Sequence, residues 1–149
     1  MTNMQAALGL SQLKNIKKTV KKKIEIGNHY YKTLSLNKNI QILPPSNSYS
    51  KNIYWVIGII VKNKKINIKS IVNKLLSFGI QTRPFFWKMN EQIIFKKLQT
   101  FNNTNNKYPN SKYLSHNGFY LPSYLELKKK EIDFICNAVN KVINIELKS

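Results

Sequence analysis

Residues 79–95 read GIQTRPFFWKMNEQIIF, and this stretch contains the only arginine of the chain, Arg83. Three aromatic residues follow the arginine within four positions. Pro84 fixes its own backbone dihedral and favours an extended conformation for the residue before it. The sequence therefore predicts a strand over Ile80–Phe85 that leads into an aromatic loop.

The side chains of this stretch suit an anionic ligand that carries rings. Arginine offers a planar, permanently charged group that pairs with carboxylate or phosphate. Aromatic faces suit sugar rings or nucleobases, and an amide side chain both donates and accepts hydrogen bonds. The alternative is a buried strand end, with the arginine paired to a carboxylate and the rings in the core. The candidate substrate-binding residues are Arg83, Phe85, Phe86, Trp87 and Asn90.

The flanking sequence predicts the elements that would carry this loop. The β-branched apolar run Ile53–Val61 predicts a buried central strand. Asn67 or Ser70 would begin the next helix, and Gly79 would follow its end. The other predicted elements are a long helix over Thr2–Leu34, an extended segment Ile40–Leu43, short helices over Glu91–Leu98 and Pro109–Asn117, a loop over Phe101–Asn106, a strand over Phe119–Pro122 and a closing helix from Lys128 to about Ile145.

This order of elements predicts an α+β fold. It has a long N-terminal helix and then a small, mostly antiparallel sheet of about three strands with helices packed on it. The first helix begins with an apolar segment, MQAALGL, for which the chain offers no evident partner.

The charge of the chain is extreme, at +19 over 149 residues. A surface this basic raises the possibility of a nucleic-acid-binding module or contact with an anionic membrane. However, the cations are nearly all lysine, whereas base readout relies on arginine. The lysines are also spread along the whole chain, which argues against a dedicated nucleic-acid site. No segment reaches the length needed to span a membrane, so a cytoplasmic protein is the expectation.

The residues that commonly perform catalysis are scarce. Cys136 is the single cysteine, which excludes an intrachain disulfide and predicts a small core residue. His29 and His116 have no acidic residue nearby in sequence, and Ser115 beside His116 lacks the context of a nucleophile. No metal-ligand spacing or phosphate-binding glycine loop occurs. We therefore predict no catalytic residue and no metal site in this chain.

Three separated motifs resemble one family, the DegT/StrS sugar aminotransferases, and in particular its perosamine synthase branch. The first resembles the helix that follows an Asn-Tyr-Arg segment, the second a substrate-side loop, and the third a closing strand. In chain order, they are Met1–Leu10 with Gln12-Leu13, Gly79-Ile80 and Thr82–Phe86 with Met89 and Glu91-Gln92, and Gly118–Ser123.

The resemblance implies the small domain of a fold-type-I enzyme that uses pyridoxal phosphate (PLP) to aminate keto sugars carried on nucleotides. It implies a connecting helix over residues 1–36 and a C-terminal small domain over residues 37–149. The large PLP-binding domain, with the Schiff-base lysine, would lie outside this chain, in cis or in trans. Family members are homodimers with active sites between subunits. Asn90 stands where relatives often have His, and Ile93 where Pro is common. Because of these two departures, the resemblance does not identify the sugar substrate.

The sequence thus supports one main hypothesis and two alternatives. The main one is the C-terminal portion of a PLP-dependent aminotransferase acting on a nucleotide-linked 4-keto-6-deoxy sugar, with an amino donor such as glutamate. This chain would contribute substrate-side residues but would not be catalytically competent alone. The alternatives are a basic nucleic-acid-binding module and an inactive remnant of an aminotransferase.

Overall fold

The fold is taken from a computed structural model of the chain, which describes residues 1–63, 67–98 and 108–147. The predicted loop over Phe101–Asn106 lies outside the described residues. The helices and strands are α1 Asn3–Leu34, β1 Ile40–Ile42, β2 Ile57–Val61, α2 Ile68–Ser77, β3 Arg83–Pro84, a 3₁₀ helix Met89–Glu91, α3 Ile93–Lys97, α4 Pro109–Asn117, β4 Gly118–Leu121 and α5 Lys129–Glu146.

The long helix α1 begins at a capping box. The Thr2 hydroxyl accepts a hydrogen bond from the backbone of Gln5 at 3.3 Å, and the Gln5 side chain accepts one from the Thr2 backbone at 2.8 Å. These bonds satisfy amides that the first turn would otherwise leave unpaired. The later turns of α1 bury Ile26, Tyr30 and Leu34 in the core.

The sheet forms the layer on which α1, α2 and α5 pack. Within the described residues, four antiparallel strands are ordered β1-β2-β4-β3. Because side chains alternate between the two faces of a strand, the register places one apolar set on a single face. Each fully buried Ile or Phe of this set contributes roughly 1.5–3 kcal/mol to the free energy of folding. The set is Ile40, Ile42, Ile57, Ile59, Val61, Phe119 and Leu121, and it packs in one cluster with residues of α1, α2 and α5.

The predicted α+β class is confirmed, but two strands are shorter than predicted. The strand predicted over Ile53–Val61 begins only at Ile57, because Tyr54 has a φ of 51°, which lies outside extended geometry. The strand predicted to start at Ile80 begins at Arg83. Ile80 lies after α2 and helps to cap its C-terminal end, since its backbone N–H donates to the Leu75 carbonyl at 3.0 Å.

Helices α2, α4 and α5 agree closely with the predicted ranges, whereas the helix predicted over Glu91–Leu98 is interrupted at Gln92, whose ψ of 135° separates the 3₁₀ helix from α3. Asn67 caps α2 by accepting a hydrogen bond from the backbone of Lys69 at 3.0 Å, and Gly79, with a φ of 75°, follows the helix end. The amphipathic helix α5 covers the core, and burial raises the pKa of its Cys136 thiol to about 12. No helix in the described ranges is both long and apolar enough to cross a bilayer.

Candidate substrate-binding surface

The second face of the sheet carries an aromatic cluster. Register places Gly58, Gly118 and Tyr120 on this face, opposite the core. The two glycines leave room for Phe85, since a Cβ at Gly118 would lie 2.6 Å from the Phe85 ring and one at Gly58 would lie 3.1 Å from it. Phe85 then stacks on Tyr120, with ring centroids 4.8 Å apart and planes 20° apart. Glycine in these strands therefore makes a flat seat for an aromatic ring.

Phe86 extends this cluster to the surface. Its ring meets Tyr120 edge to face, with centroids 5.3 Å apart. On its other side, Phe86 lies nearly parallel to Trp55, at 6.0 Å between centroids and 18° between planes. Phe86 is 60% exposed and Trp55 is 68% exposed. We call Trp55, Phe85, Phe86 and Tyr120 the aromatic surface.

Trp55 was not predicted from the sequence as a site residue. It lies 31 positions before Phe86, in a run that reads as a continuous buried strand. The positive φ of Tyr54 interrupts the predicted strand. The chain turns there, so that Tyr54 is 2% exposed whereas Trp55 is exposed. The one signal in the sequence is a tryptophan, large and seldom fully buried, inside the mostly aliphatic run IYWVIGIIV.

The Tyr120 phenol forms a hydrogen bond with the backbone of Phe86, in the segment that follows β3. Burial raises the pKa of its phenol, and a backbone hydrogen bond with Phe86 acts in the opposite direction. The phenol is therefore neutral at physiological pH and serves as a packing and hydrogen-bonding group.

Arg83 lies beside the aromatic surface with its charge available. It is exposed and is paired in register with Tyr120, so both side chains project from the same face. Among the described residues, no carboxylate or other group is bonded to its guanidinium. It also lines a cleft of about 840 Å³, together with Tyr120, Ser123, Lys130 and Phe134. An unpaired guanidinium at the mouth of a cleft can bind a phosphate or a carboxylate.

The other two predicted site residues lie apart from the aromatic surface. Trp87 is 66% exposed but makes no ring contact within the described part of the chain. Asn90 lies in the 3₁₀ helix and is only 9% exposed. The structure thus brings Arg83, Phe85 and Phe86 together around Tyr120, while substrate contact by Trp87 and Asn90 remains a prediction.

The histidines do not form a catalytic pair. His29 on α1 contacts Asp133 on α5 at 2.6 Å, a partner that sequence distance concealed, and this pair joins two helices. His116 Nδ1 lies 2.8 Å from the Lys112 carbonyl oxygen and 3.2 Å from the Ser115 hydroxyl. Because a carbonyl only accepts, Nδ1 carries the proton and cannot take one from Ser115. In the ranges that the structure describes, no cluster of His, Cys, Asp or Glu could hold a metal ion.

The chain matches a family model, described as the DegT/DnrJ/EryC1/StrS aminotransferase family, over residues 1–140. The chain belongs to this family. It is 28% identical over 144 residues to a GDP-perosamine synthase of Escherichia coli O157:H7, and 28% identical over 145 residues to one of Vibrio cholerae. These alignments cover 95% and 97% of the chain, but only 36% and 38% of the two relatives.

Solved structures share the fold. Spr1654 from Streptococcus pneumoniae, assigned to the sugar aminotransferases, superposes in its apo form with a TM-score of 0.85 at 21% identity. The superposition covers 99% of this chain and 36% of Spr1654. Spr1654 has also been solved in PLP and PMP forms. The resemblance to the family is therefore confirmed, and so is the expectation that this family depends on PLP.

The residues around the aromatic surface do not fit PLP itself. PLP attachment needs a free lysine amine and a partner for the ring nitrogen. Lys88 is the one buried lysine among the described residues, and its ammonium contacts the Glu91 carboxylate. Lys130 lines the cleft beside Arg83 but is exposed, so water would reach a cofactor attached to it. Arg83 carries a guanidinium rather than a primary amine, so it cannot form this attachment. The aromatic surface therefore suits the substrate side of an active site rather than its cofactor side.

Proposed function

We propose that this chain is the C-terminal, substrate-side portion of a PLP-dependent aminotransferase that acts on a nucleotide-linked 4-keto-6-deoxy sugar. The observation that carries the proposal is the aromatic surface with Arg83 beside it, whose guanidinium has no bonded partner among the described residues. The names of the two GDP-perosamine synthases support the substrate class. The product would be an amino sugar for polysaccharide biosynthesis.

The aromatic surface would bind the ring-bearing parts of the substrate. Phe86 and Trp55 are 60% and 68% exposed, which leaves part of each side chain able to contact a base or a sugar. Such a stacking contact with a base is worth about 1–3 kcal/mol of binding free energy. Phe85 and Tyr120 lie behind Phe86 and hold its ring in place.

Arg83 would bind the diphosphate. Its guanidinium is exposed and can donate two parallel hydrogen bonds to phosphate oxygens. A phosphate bound there and a ring stacked on Phe86 would together orient the nucleotide sugar. Orientation of this kind is the part of catalysis that binding residues can supply without a base or a nucleophile. Trp87 and Asn90 are proposed as further contacts.

The cofactor would be held outside this chain. Residues of that other domain would hold PLP, which would supply the chemistry of amino-group transfer from an amino acid to the keto sugar. We propose that residues 1–36 connect a preceding large PLP-binding domain to the small domain over residues 37–149, and that the complete enzyme is a homodimer. The exposed apolar side chains at the start of α1 support this arrangement, because such surfaces usually mark contacts with another domain.

Reconstitution tests this proposal. The chain would be combined with a PLP-binding domain of the same family, either fused to residue 1 or supplied separately. We expect amination of a nucleotide-linked 4-keto-6-deoxy sugar, with glutamate as donor, only when both parts are present. Amination by the 149-residue chain alone, or no gain over the PLP-binding domain alone, would contradict it.

A further inference from the structure

Lys23 on α1 is bonded to two separate segments that border the aromatic surface. Its ammonium donates to the Trp55 carbonyl at 3.2 Å and to the Ser123 hydroxyl at 3.2 Å, and it also contacts the Ser123 carbonyl. An ammonium has three protons, so these acceptors satisfy it fully. Burial lowers the pKa of the Lys23 side chain.

A second contact from the same helix holds the residue before Trp55. Gly27 lies one turn after Lys23, and its missing side chain leaves the space that the Tyr54 ring fills. A Cβ at Gly27 would lie 2.1 Å from that ring. Tyr54 itself has a φ of 51°, which is costly for a bulky residue unless its surroundings impose it. Strain of this kind is often found where a neighbouring residue must be presented to a ligand.

We propose that Lys23 is a positioning residue that fixes Trp55 against Phe86. The Lys23 ammonium holds the Trp55 carbonyl while Gly27 receives the Tyr54 ring, so α1 contacts the backbone of Trp55 and the side chain of Tyr54. The exposed Trp55 ring is then presented parallel to Phe86. The consequence for catalysis rests on the proposed function, whereas the placement of Trp55 does not.

The first test uses the chain alone and reads the position of Trp55 directly. Trp87→Phe leaves Trp55 as the single tryptophan, which is labelled as 5-fluorotryptophan and observed by ¹⁹F NMR. Phe86→Leu in this background gives the signal of an unstacked Trp55. We expect Lys23→Met to shift the Trp55 signal toward that reference and Lys23→Arg to restore it.

Lys22→Met is the matched control, since its ammonium lies 4.0 Å from Glu25 and its side chain is 44% exposed. It should leave the Trp55 signal unchanged. If Lys23→Met does not fold, Lys23→Gln is measured in its place, because it keeps part of the aliphatic stem. An unchanged Trp55 signal in either folded variant would overturn the proposal. Failure of both to fold would overturn it as well, because Lys23 would then maintain the fold in general.

The second test uses the reconstituted enzyme. We expect Lys23→Met to raise KM for the nucleotide sugar about tenfold and to leave KM for the amino donor unchanged, because only the sugar side loses its stacking partner. A residue that merely stabilised the fold would reduce the amount of active enzyme without changing either KM. If the wild-type reconstitution is inactive, the proposed function fails while the ¹⁹F measurement still decides the role of Lys23.

Discussion

The two halves of α1 have similar apolar spacing but different surroundings. In the first half, Met4, Leu8 and Leu13 are 84%, 65% and 65% exposed. In the second half, Ile26 and Tyr30 are 2% and 0% exposed, because the sheet and α5 cover them. Helical periodicity thus identifies the side chains that share a face, but it does not identify what covers that face.

The difference has a functional meaning. The second half of α1 carries the groups that organise the aromatic surface, namely Lys23 and Gly27. The first half makes no comparable contact with the rest of the described chain and presents apolar side chains to solvent. By our proposals, one helix therefore serves the substrate side at one end and contacts the cofactor domain at the other.

The largest expected change in the free energy of unfolding comes from substituting one of the two glycines of α1, Gly27, and the other, Gly9, is its matched control. Gly27→Ala places a methyl group against the Tyr54 ring, and we expect it to lower the free energy of unfolding by about 3 kcal/mol through overpacking. A Cβ added at Gly9 would meet nothing within 4 Å, so Gly9→Ala should raise the free energy of unfolding by about 0.5–1 kcal/mol through helix propensity. Thermal or urea unfolding of both variants measures the difference. Equal effects would show that the two halves do not differ in packing.

A smaller effect concerns acid stability of the packed region. Glu146 accepts hydrogen bonds from Lys74 at 2.6 Å and from Ser70 at 2.5 Å, and these partners hold the pKa of its carboxyl below the ordinary value of 4.5. A lowered folded-state pKa stabilises the fold above the unfolded pKa, and this stabilisation is lost as pH falls through the folded value. The Glu146 contribution should therefore decline as pH falls below 4.5 and be lost as pH passes through the lowered folded-state pKa.

Glu146→Gln provides the matched comparison. It should lower the free energy of unfolding by about 1 kcal/mol at pH 7, and the gap from the wild type should close in acid. Residues 3–18 contain no acidic side chain, so their helicity should not respond directly to the same titration. Urea unfolding at several pH values measures the free energy of unfolding of the wild type and the variant. The ¹³C chemical shifts of residues 3–18 measure the helicity of that segment. A gap that persists in acid would contradict the role of the Glu146 carboxylate.

The smallest effect on the isolated chain should come from the exposed half. Leu8→Ser and Leu13→Ser remove apolar side chains that lie 65% exposed, so the free energy of unfolding should change by less than about 0.5 kcal/mol. The same changes should weaken association with a PLP-binding domain supplied separately, measured by calorimetry. Unaltered association would remove the interface that we assign to this half.

Much of the fold could be predicted because its signals are local. Thr2 and Asn67 cap their helices, and Gly79 follows the end of α2, as their residue types indicate. The β-branched run predicted a central strand, although the turn at Tyr54 shortened it. These features depend on neighbours within a few positions along the chain.

The rest could not be predicted, because it depends on contacts between distant residues. Lys23 and Ser123 are separated by 100 positions, and His29 and Asp133 by 104. Neither pairing leaves a periodic pattern in the sequence. Trp55 is the clearest case, since its stacking on Phe86 depends on the positive φ of Tyr54, which the residue type does not indicate.

We propose that this chain supplies the substrate side of an active site. The most direct measurement is KM for the nucleotide sugar in a reconstituted enzyme carrying Phe86→Ala, compared with Tyr49→Ala, which removes another exposed ring, 87% exposed. We expect Phe86→Ala to raise this KM about tenfold, equivalent to one lost stacking contact, and Tyr49→Ala to leave it unchanged. Equal KM values for the two variants would contradict the account.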